Sequence, residues 1–193
     1  MKTIIDQSSP GRDWLKVYYY LRFAVSAIWV ALAFMVAKAL PPLATVMLVA
    51  YPTWDALANY LDASRSGGLA RNMSQLLNFV VSMLTAVAVA ATIPHGMHAV
   101  LQIFGAWAVL SGLFQLITGV RRWKSYGAQW AMILSGAQSG LAGAHMLSQA
   151  AGTAPVSITD IAPYAAFGAL YFLISAVSLT ISDARRRSKA VAA

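Results

Sequence analysis

The chain has no cysteine and no glutamate among its 193 residues, and only 10% of the residues are charged. Without cysteine, disulfides, thiolate nucleophiles and cysteine-based zinc sites are excluded. The sequence also lacks a Walker-type phosphate loop, G-x-S-x-G, H-E-x-x-H and paired carboxylates. The usual parts of phosphoryl-transfer and hydrolytic enzymes are therefore missing. We expect no enzymatic activity and no cofactor.

Apolar residues take the place of the missing charge, at 59% of the chain with a mean hydropathy of +0.63. Soluble domains typically carry about 25% charged residues, and a membrane-spanning helix needs about 20 apolar residues. The sequence predicts an all-α, integral membrane bundle of six helices in one transmembrane domain, with short tails at 1–16 and 183–193. The predicted helices cover residues 17–38, 41–60, 73–93, 99–120, 128–149 and 161–182.

The basic residues predict the orientation of these helices in the membrane. In the six-helix arrangement thirteen of them fall on one side, and only Lys38 falls on the other. The positive-inside rule makes the first side cytoplasmic. We therefore expect a multi-pass membrane protein with both termini in the cytoplasm. The net charge of +8 then indicates contact with anionic lipid headgroups rather than with nucleic acid.

Helices two, four and six align without gaps, and each aligned core ends ten residues later at an arginine: Arg65, Arg121 or Arg185. The chain therefore resembles three pseudo-repeated two-helix hairpins, which we expect to bury their faces in one compact bundle.

Small residues indicate where helices pack closely, because lipid supplies no hydrophobic drive between helices. In helix five, Gly136 and Gly140 form a small-xxx-small pair, and Gly143 continues a second stripe with two serines. Gly112 belongs to a seven-residue glycine series in helix four. These glycines predict packing within the chain; a homo-oligomer seam on helix five is the alternative.

Asp55 is the main polar candidate, because it lies within an apolar helix where an ionised carboxylate costs on the order of 3 kcal/mol. Arg22 lies at a comparable depth in helix one, so we predict a contact between the two side chains. Three interpretations are open: an ion pair that locks the first hairpin, a relay of protons or ions, or interfacial snorkelling of the side chains without a partner. Asn59, one turn further inward on the same face, extends either network.

Other polar side chains give weaker signals. Lys38 and Asp160 form a second candidate pair at the outer helix ends. Four amides are expected to form hydrogen bonds between helices rather than to line a permeation path: Asn78, Gln102, Gln115 and Gln138.

The three histidines, His95, His98 and His145, are predicted on the outer side of the membrane. Neighbouring methionines leave a soft-metal site open as one alternative, and imidazoles alone can sense acid between about pH 5 and 8. Interfacial histidines without a shared ligand remain the simplest interpretation, so no metal is assigned.

Residues 104–116 (FGAWAVLSGLFQL) resemble a repeat of the HdeD-like membrane proteins, and 130–136 (WAMILSG) and 156–179 are similar. The resemblance extends over most of the chain from Tyr51 onward. It implies a bacterial six-helix inner-membrane protein with a short repeat of unknown function, some relatives of which are associated with acid resistance. Our leading hypothesis is a non-enzymatic protein of envelope or acid stress. A small transporter or channel using Asp55, and a lipid-binding protein, are the alternatives.

Overall fold

A computed structural model describes residues 10–37, 39–121 and 129–192. These residues contain six α-helices and no β-strand, so the predicted all-helical fold is confirmed. The helices are α1 (Pro10–Leu32), α2 (Pro41–Arg65), α3 (Met73–Thr92), α4 (Met97–Arg121), α5 (Gln129–Ala151) and α6 (Ala162–Ala192). A π-helical turn, Ala33–Ala37, extends α1, and short 3-10 turns occur at Leu69–Arg71, Ile93–His95 and Ile158–Asp160.

Prolines and glycines set several helix ends. Pro41 occupies the first turn of α2, where a missing N–H leaves no hydrogen bond unmade. Gly68 and Gly96, in the connections before α3 and α4, adopt φ angles of 89° and 93°. Residues with a Cβ rarely adopt this backbone conformation.

The sixth helix is longer than predicted, because it continues to Ala192 instead of giving way to a tail at residue 183. Alanine, lysine and arginine are strong helix formers, so the end of the apolar run does not end the helix. A 2.7 Å ion pair between Lys16 Nζ and Asp183 Oδ2 also ties this extension to α1.

The helices pack in three close pairs: α4 with α5, α1 with α6, and α2 with α3. None of these pairs is one of the hairpins expected from the sequence, so those hairpins are not the packing units. Instead, each even-numbered helix packs on the odd-numbered helix that follows it, and α6 closes onto α1.

The α4–α5 contact is a direct approach of two backbones. A Cβ built on Gly112 would lie 2.5 Å from the carbonyl oxygen of Gly136 and 2.6 Å from the backbone nitrogen of Gly140. A Cβ on Gly143 would lie 2.6 Å from the carbonyl oxygen of Gly105. Real Cβ atoms essentially never come so close to backbone atoms. The predicted packing glycines therefore bring two helices of the same chain, α4 and α5, into close contact.

Two ends of the bundle differ in chemistry, and we name them by their residues. The basic end carries Arg65 at the end of α2 and Arg185 in α6; the histidine end carries the α3–α4 connection with His95. Buried apolar side chains concentrate toward the histidine end. Fully buried members of this core are Phe104, Leu101, Met146, Ile161, Val100 and Val89.

Alanine substitution at two glycines tests the α4–α5 contact. Gly112→Ala forces the backbones apart, and we expect it to lower the free energy of unfolding by about 1–3 kcal/mol. A Cβ on Gly140 would meet no heavy atom within 4 Å, so Gly140→Ala is expected to be neutral or to stabilise by about 0.5–1 kcal/mol. Unfolding of the two variants in detergent measures the difference; equal stabilities would contradict the close approach.

Candidate functional site

The predicted contact between Arg22 and Asp55 forms in the middle of the bundle. Arg22, on α1, donates from Nη2 to Asp55 Oδ1 on α2, and the two groups form an ion pair. The side chains are only 13% and 21% exposed. Because charges removed from water are costly, each of these two groups depends on the other for compensation.

The second carboxylate oxygen of Asp55 accepts two further hydrogen bonds. Ser82 Oγ on α3 donates to Oδ2 at 2.7 Å, and Asn59 Nδ2 donates to it at 3.1 Å. Asn59 thus extends the network as expected. Trp107 Nε1 on α4 donates to Ser82 Oγ at 3.3 Å and links a fourth helix to the carboxylate. A buried network with its members paired holds the surrounding helices in one arrangement.

The guanidinium of Arg22 is held on its other sides by aromatic side chains. Nη1 donates to the Tyr18 hydroxyl at 3.0 Å, and the guanidinium carbon lies 4.2 Å from the centre of the Phe172 ring on α6. Such cation–π contacts favour a desolvated cation. Nε of Arg22 is buried without a hydrogen-bond partner among the described residues. A bound water or ligand oxygen is the usual partner of such a group.

Parts of this network carry no sequence signal. Ser82 and Trp107 resemble many other small or aromatic residues of apolar helices, and nothing in their spacing points to Asp55. The four-residue spacing of Tyr18 and Arg22, which places both on one helix face, is the one available pointer.

The network borders a cavity of about 160 Å³ between the helices, large enough for a cluster of waters or a small ligand group. Asp55 and Arg22 line it together with Tyr51 and Trp107. The remaining polar lining comes from all helices other than α1: Asn59, Asn78, Ser111, Gln115, Ser135, Gln138, Ser139, Tyr164 and Tyr171.

The cavity lies on the basic-end side of the apolar core. Along α4 in the direction of the histidine end, the cavity-lining residues Gln115, Ser111 and Trp107 are followed by Phe104 and Leu101, which are fully buried. The polar space therefore ends against a packed apolar layer.

Two predicted interhelical amides do form hydrogen bonds beside this cavity. Ser135 Oγ on α5 donates to Gln115 Oε1 on α4 at 3.2 Å, and the Tyr171 hydroxyl on α6 donates to Gln138 Oε1 on α5 at 2.7 Å. Asn78 lines the cavity, and Gln102 is exposed on the outer surface of α4.

The histidines do not gather into a site. His98 Nε2 lies 3.0 Å from the carbonyl oxygen of Ala154 in the neighbouring connection, and His95 and His145 are exposed. Within the residues described, no three histidine, cysteine, aspartate or glutamate side chains come together to hold a metal ion. Methionine sulfurs are not among these ligands, so the alternative that combines histidine with methionine stays a prediction.

Lys38 and the basic loop with Arg122 and Lys124 lie outside the described residues, so the predicted pairing of Lys38 with Asp160 is not tested. Asp160 accepts a hydrogen bond of 2.6 Å from the backbone N–H of Ser157, within a capping box. Its carboxylate therefore orders the turn that precedes α6.

The fold and its composition define a helical membrane protein. Within the described residues, four helices are long and apolar enough to cross a bilayer: Asp13–Ala37, Met73–His95, Met97–Ile117 and Ala162–Ser188. Helices α2 and α5 do not reach this hydropathy. Helix α2 carries Asp55 and Asn59, which line the cavity. Helix α5 carries a run of glycine, serine and glutamine residues, some of which pack against α4 while others line the cavity.

Comparison with known families matches residues 80–148 to a short repeat of unknown function (DUF308), which is the repeat of the HdeD-like group. The match begins within α3 and covers α4 and most of α5, about a third of the chain. The resemblance to this short repeat is confirmed over that range, which does not include residues 156–179. No curated protein and no solved structure matches the chain.

Single and paired substitutions test the mutual dependence of Arg22 and Asp55. Arg22→Met alone leaves a buried carboxylate without its cation, and we expect a loss of about 3–5 kcal/mol in the free energy of unfolding. Arg22→Met combined with Asp55→Leu removes both charges and is expected to recover most of that loss. Unfolding in mixed detergent gives the values. Additive losses in the double variant would show that the ion pair does not couple the two helices.

Proposed function

We propose that the protein is a non-enzymatic, small-molecule carrier of the bacterial inner membrane, and that the cavity beside Asp55 holds the carried molecule. The single observation behind this proposal is a polar cavity between the helices that ends against a packed apolar layer toward the histidine end. Polar side chains within a membrane are expensive and usually mark a binding site or a pathway. A cavity that stops at an apolar layer suits a carrier better than an open channel, because a channel needs a continuous hydrated path.

A purely structural role for the ion pair accounts for less of the geometry. An ion pair that only stabilises the fold needs Arg22, Asp55 and their hydrogen-bond partners, and all of these groups lie in or behind one wall of the cavity. It does not need the amide and hydroxyl groups that α5 contributes on the far side of the cavity. Ligand pockets typically combine apolar walls with a few convergent polar groups, as this cavity does.

The repeat expected from the sequence gains support as part of this proposal. Tyr51, Trp107 and Tyr171 occupy equivalent positions in the alignment of α2, α4 and α6, and all three line the cavity. Asn59 and Gln115 are a second equivalent pair that does so. We propose that three repeat units surround the cavity, each built from an even-numbered helix and the odd-numbered helix packed on it. The acid-stress role, the anionic-lipid contacts and a homo-oligomer remain predictions.

Flux through reconstituted vesicles tests the carrier proposal. Proteoliposomes are assayed for proton entry with an internal pH dye under a potassium-diffusion potential, and for urea, glycerol and acetate uptake by light scattering. We expect one of these fluxes to exceed that of empty vesicles, and Asp55→Asn to reduce it about tenfold, the equivalent of about 1.4 kcal/mol.

Asp62→Asn is the matched control, because Asp62 lies on the same helix, binds Gln75 Nε2 at 3.1 Å and does not line the cavity. Its flux should stay at the wild-type level. Both variants must first give wild-type elution profiles in detergent. Rates equal to those of empty vesicles for all four probes, or equal losses in both variants, would contradict the proposal.

The orientation proposed from the basic residues can be tested with single cysteines, since the chain contains none. Ser66→Cys lies in the α2–α3 connection at the basic end, and Thr153→Cys lies beyond α5 at the histidine end; both positions are exposed. In cells with a permeabilised outer membrane, an impermeant maleimide should label the cysteine at 153 directly and the cysteine at 66 only after lysis. The reverse pattern would contradict the proposed topology.

A further inference from the structure

We propose that the cavity opens sideways into the hydrocarbon layer between α5 and α6, and that its ligand is a lipid-soluble amphiphile whose head carries carbonyl or carboxylate oxygens. This inference rests on the proposed function and specifies the class of molecule and its route. In this arrangement the polar head of the ligand lies beside Arg22, and its alkyl chain lies between α5 and α6.

The boundary between α5 and α6 has the sparsest backbone contact of the three boundaries between helix pairs, and the Tyr171–Gln138 hydrogen bond of 2.7 Å crosses it. These two helices follow each other in the chain and yet touch at few points. The α1–α2 boundary is closed by the Arg22–Asp55 pair and by the hydrogen bond of 2.9 Å from Trp29 Nε1 to the Met47 carbonyl oxygen. The α3–α4 boundary has more extensive contact and the Trp107–Ser82 hydrogen bond.

The residues at the α5–α6 boundary face both the cavity and the outside. Phe167 lines the cavity and is 48% exposed on the surface of the protein. Its neighbour Gly168 also lines the cavity, and a Cβ placed there would meet only the Tyr51 hydroxyl, at 3.9 Å. Opposite them, Ser139 and Ala142 of α5 are only half-buried. Space therefore continues from the cavity toward the surface at this boundary.

The depth of this boundary selects the ligand class. Ala142 lies near the middle of α5, and Gly168 lies within the apolar span of α6. The hydrocarbon core is about 30 Å thick, so an opening between the middle of α5 and the apolar span of α6 faces acyl chains rather than water. A hydrophilic ion would have to cross hydrocarbon to reach it, whereas a molecule already dissolved in the membrane would not.

The interior end of the cavity offers hydrogen-bond donors to such a molecule. The described hydrogen bonds of Gln115 and Gln138 use their carbonyl oxygens, which leaves the two amide nitrogens for a ligand. Arg22 Nε is a further buried donor without a partner among the described residues. Asp55 already accepts bonds from Arg22, Ser82 and Asn59. A head that carries acceptor oxygens therefore complements this surface.

Photolabelling in vesicles tests the inference. The probe is a palmitic acid analogue with a diazirine in mid-chain, reconstituted with the full-length protein, and labelled positions are mapped by mass spectrometry. We expect labels on the cavity-facing residues Ser139, Ala142, Phe167 and Gly168, and we expect excess palmitic acid to remove them. Hexadecane, which has the chain without the head, should not compete.

Two substitutions on α6 separate the cavity from the general lipid surface. Gly168→Leu fills the opening and should reduce cavity labelling about tenfold, whereas Ala166→Leu, two positions away, exposed and outside the cavity lining, should leave it unchanged. Phe167→Ala, on an exposed side chain, should widen the opening and increase labelling. This third variant keeps the test decisive if Gly168→Leu proves unstable.

Labels confined to outward-facing residues such as Leu141, Leu170 and Ile174 would overturn the inference. Competition by hexadecane as effective as that by palmitic acid would overturn the part concerning the head. Acetate flux that depends on Asp55 without cavity labelling would leave the carrier proposal standing and remove lateral access. Cavity labelling that palmitic acid removes, without flux of protons, urea, glycerol or acetate, would establish the lipid site and reject the transport of those four solutes.

Discussion

The ion pair of Arg22 with Asp55 is the constraint around which the bundle is organised. Two charges in a low-dielectric interior need each other and need hydrogen-bonding or aromatic neighbours. Here α1 and α2 supply the charges, α3 supplies Ser82, α4 supports that serine through Trp107, and α6 stacks Phe172 on the guanidinium. Five helices thus have one relative arrangement that satisfies the pair, and the cavity is the space left between this network and α5.

The sequence predicts those features that depend on the cost of a residue type in lipid. A carboxylate inside an apolar helix requires a cation at the same depth, and counting residues from the basic end of each helix leads from Asp55 to Arg22. Glycines at four-residue spacing likewise predict a close backbone approach, found at Gly112 and Gly136. Both inferences compare one unusual residue with an otherwise uniform background.

Other features leave no such mark. Apolar helix faces in lipid resemble one another whether they meet a neighbour or an acyl chain, so the pairing of α1 with α6 and of α4 with α5 cannot be read from hydropathy. Ser82 is a single hydroxyl among many, and the cavity depends on the positions of all six helices together. The polar character of α2 and α5 is visible in the sequence, but its cause, the lining of a shared interior space, is not.

The glycine contact between α4 and α5 also fixes how the bundle can move. Helices whose backbones touch cannot slide or tilt independently, because interiors packed at this distance hardly deform. We therefore expect α5 to move with α4 as one rigid body, and parting that body from the α6–α1 pair requires breaking the Tyr171–Gln138 hydrogen bond and the Trp107–Tyr164 ring contact. Any change in the volume of the interior is then a hinge-like displacement of two helices together rather than the bending of one.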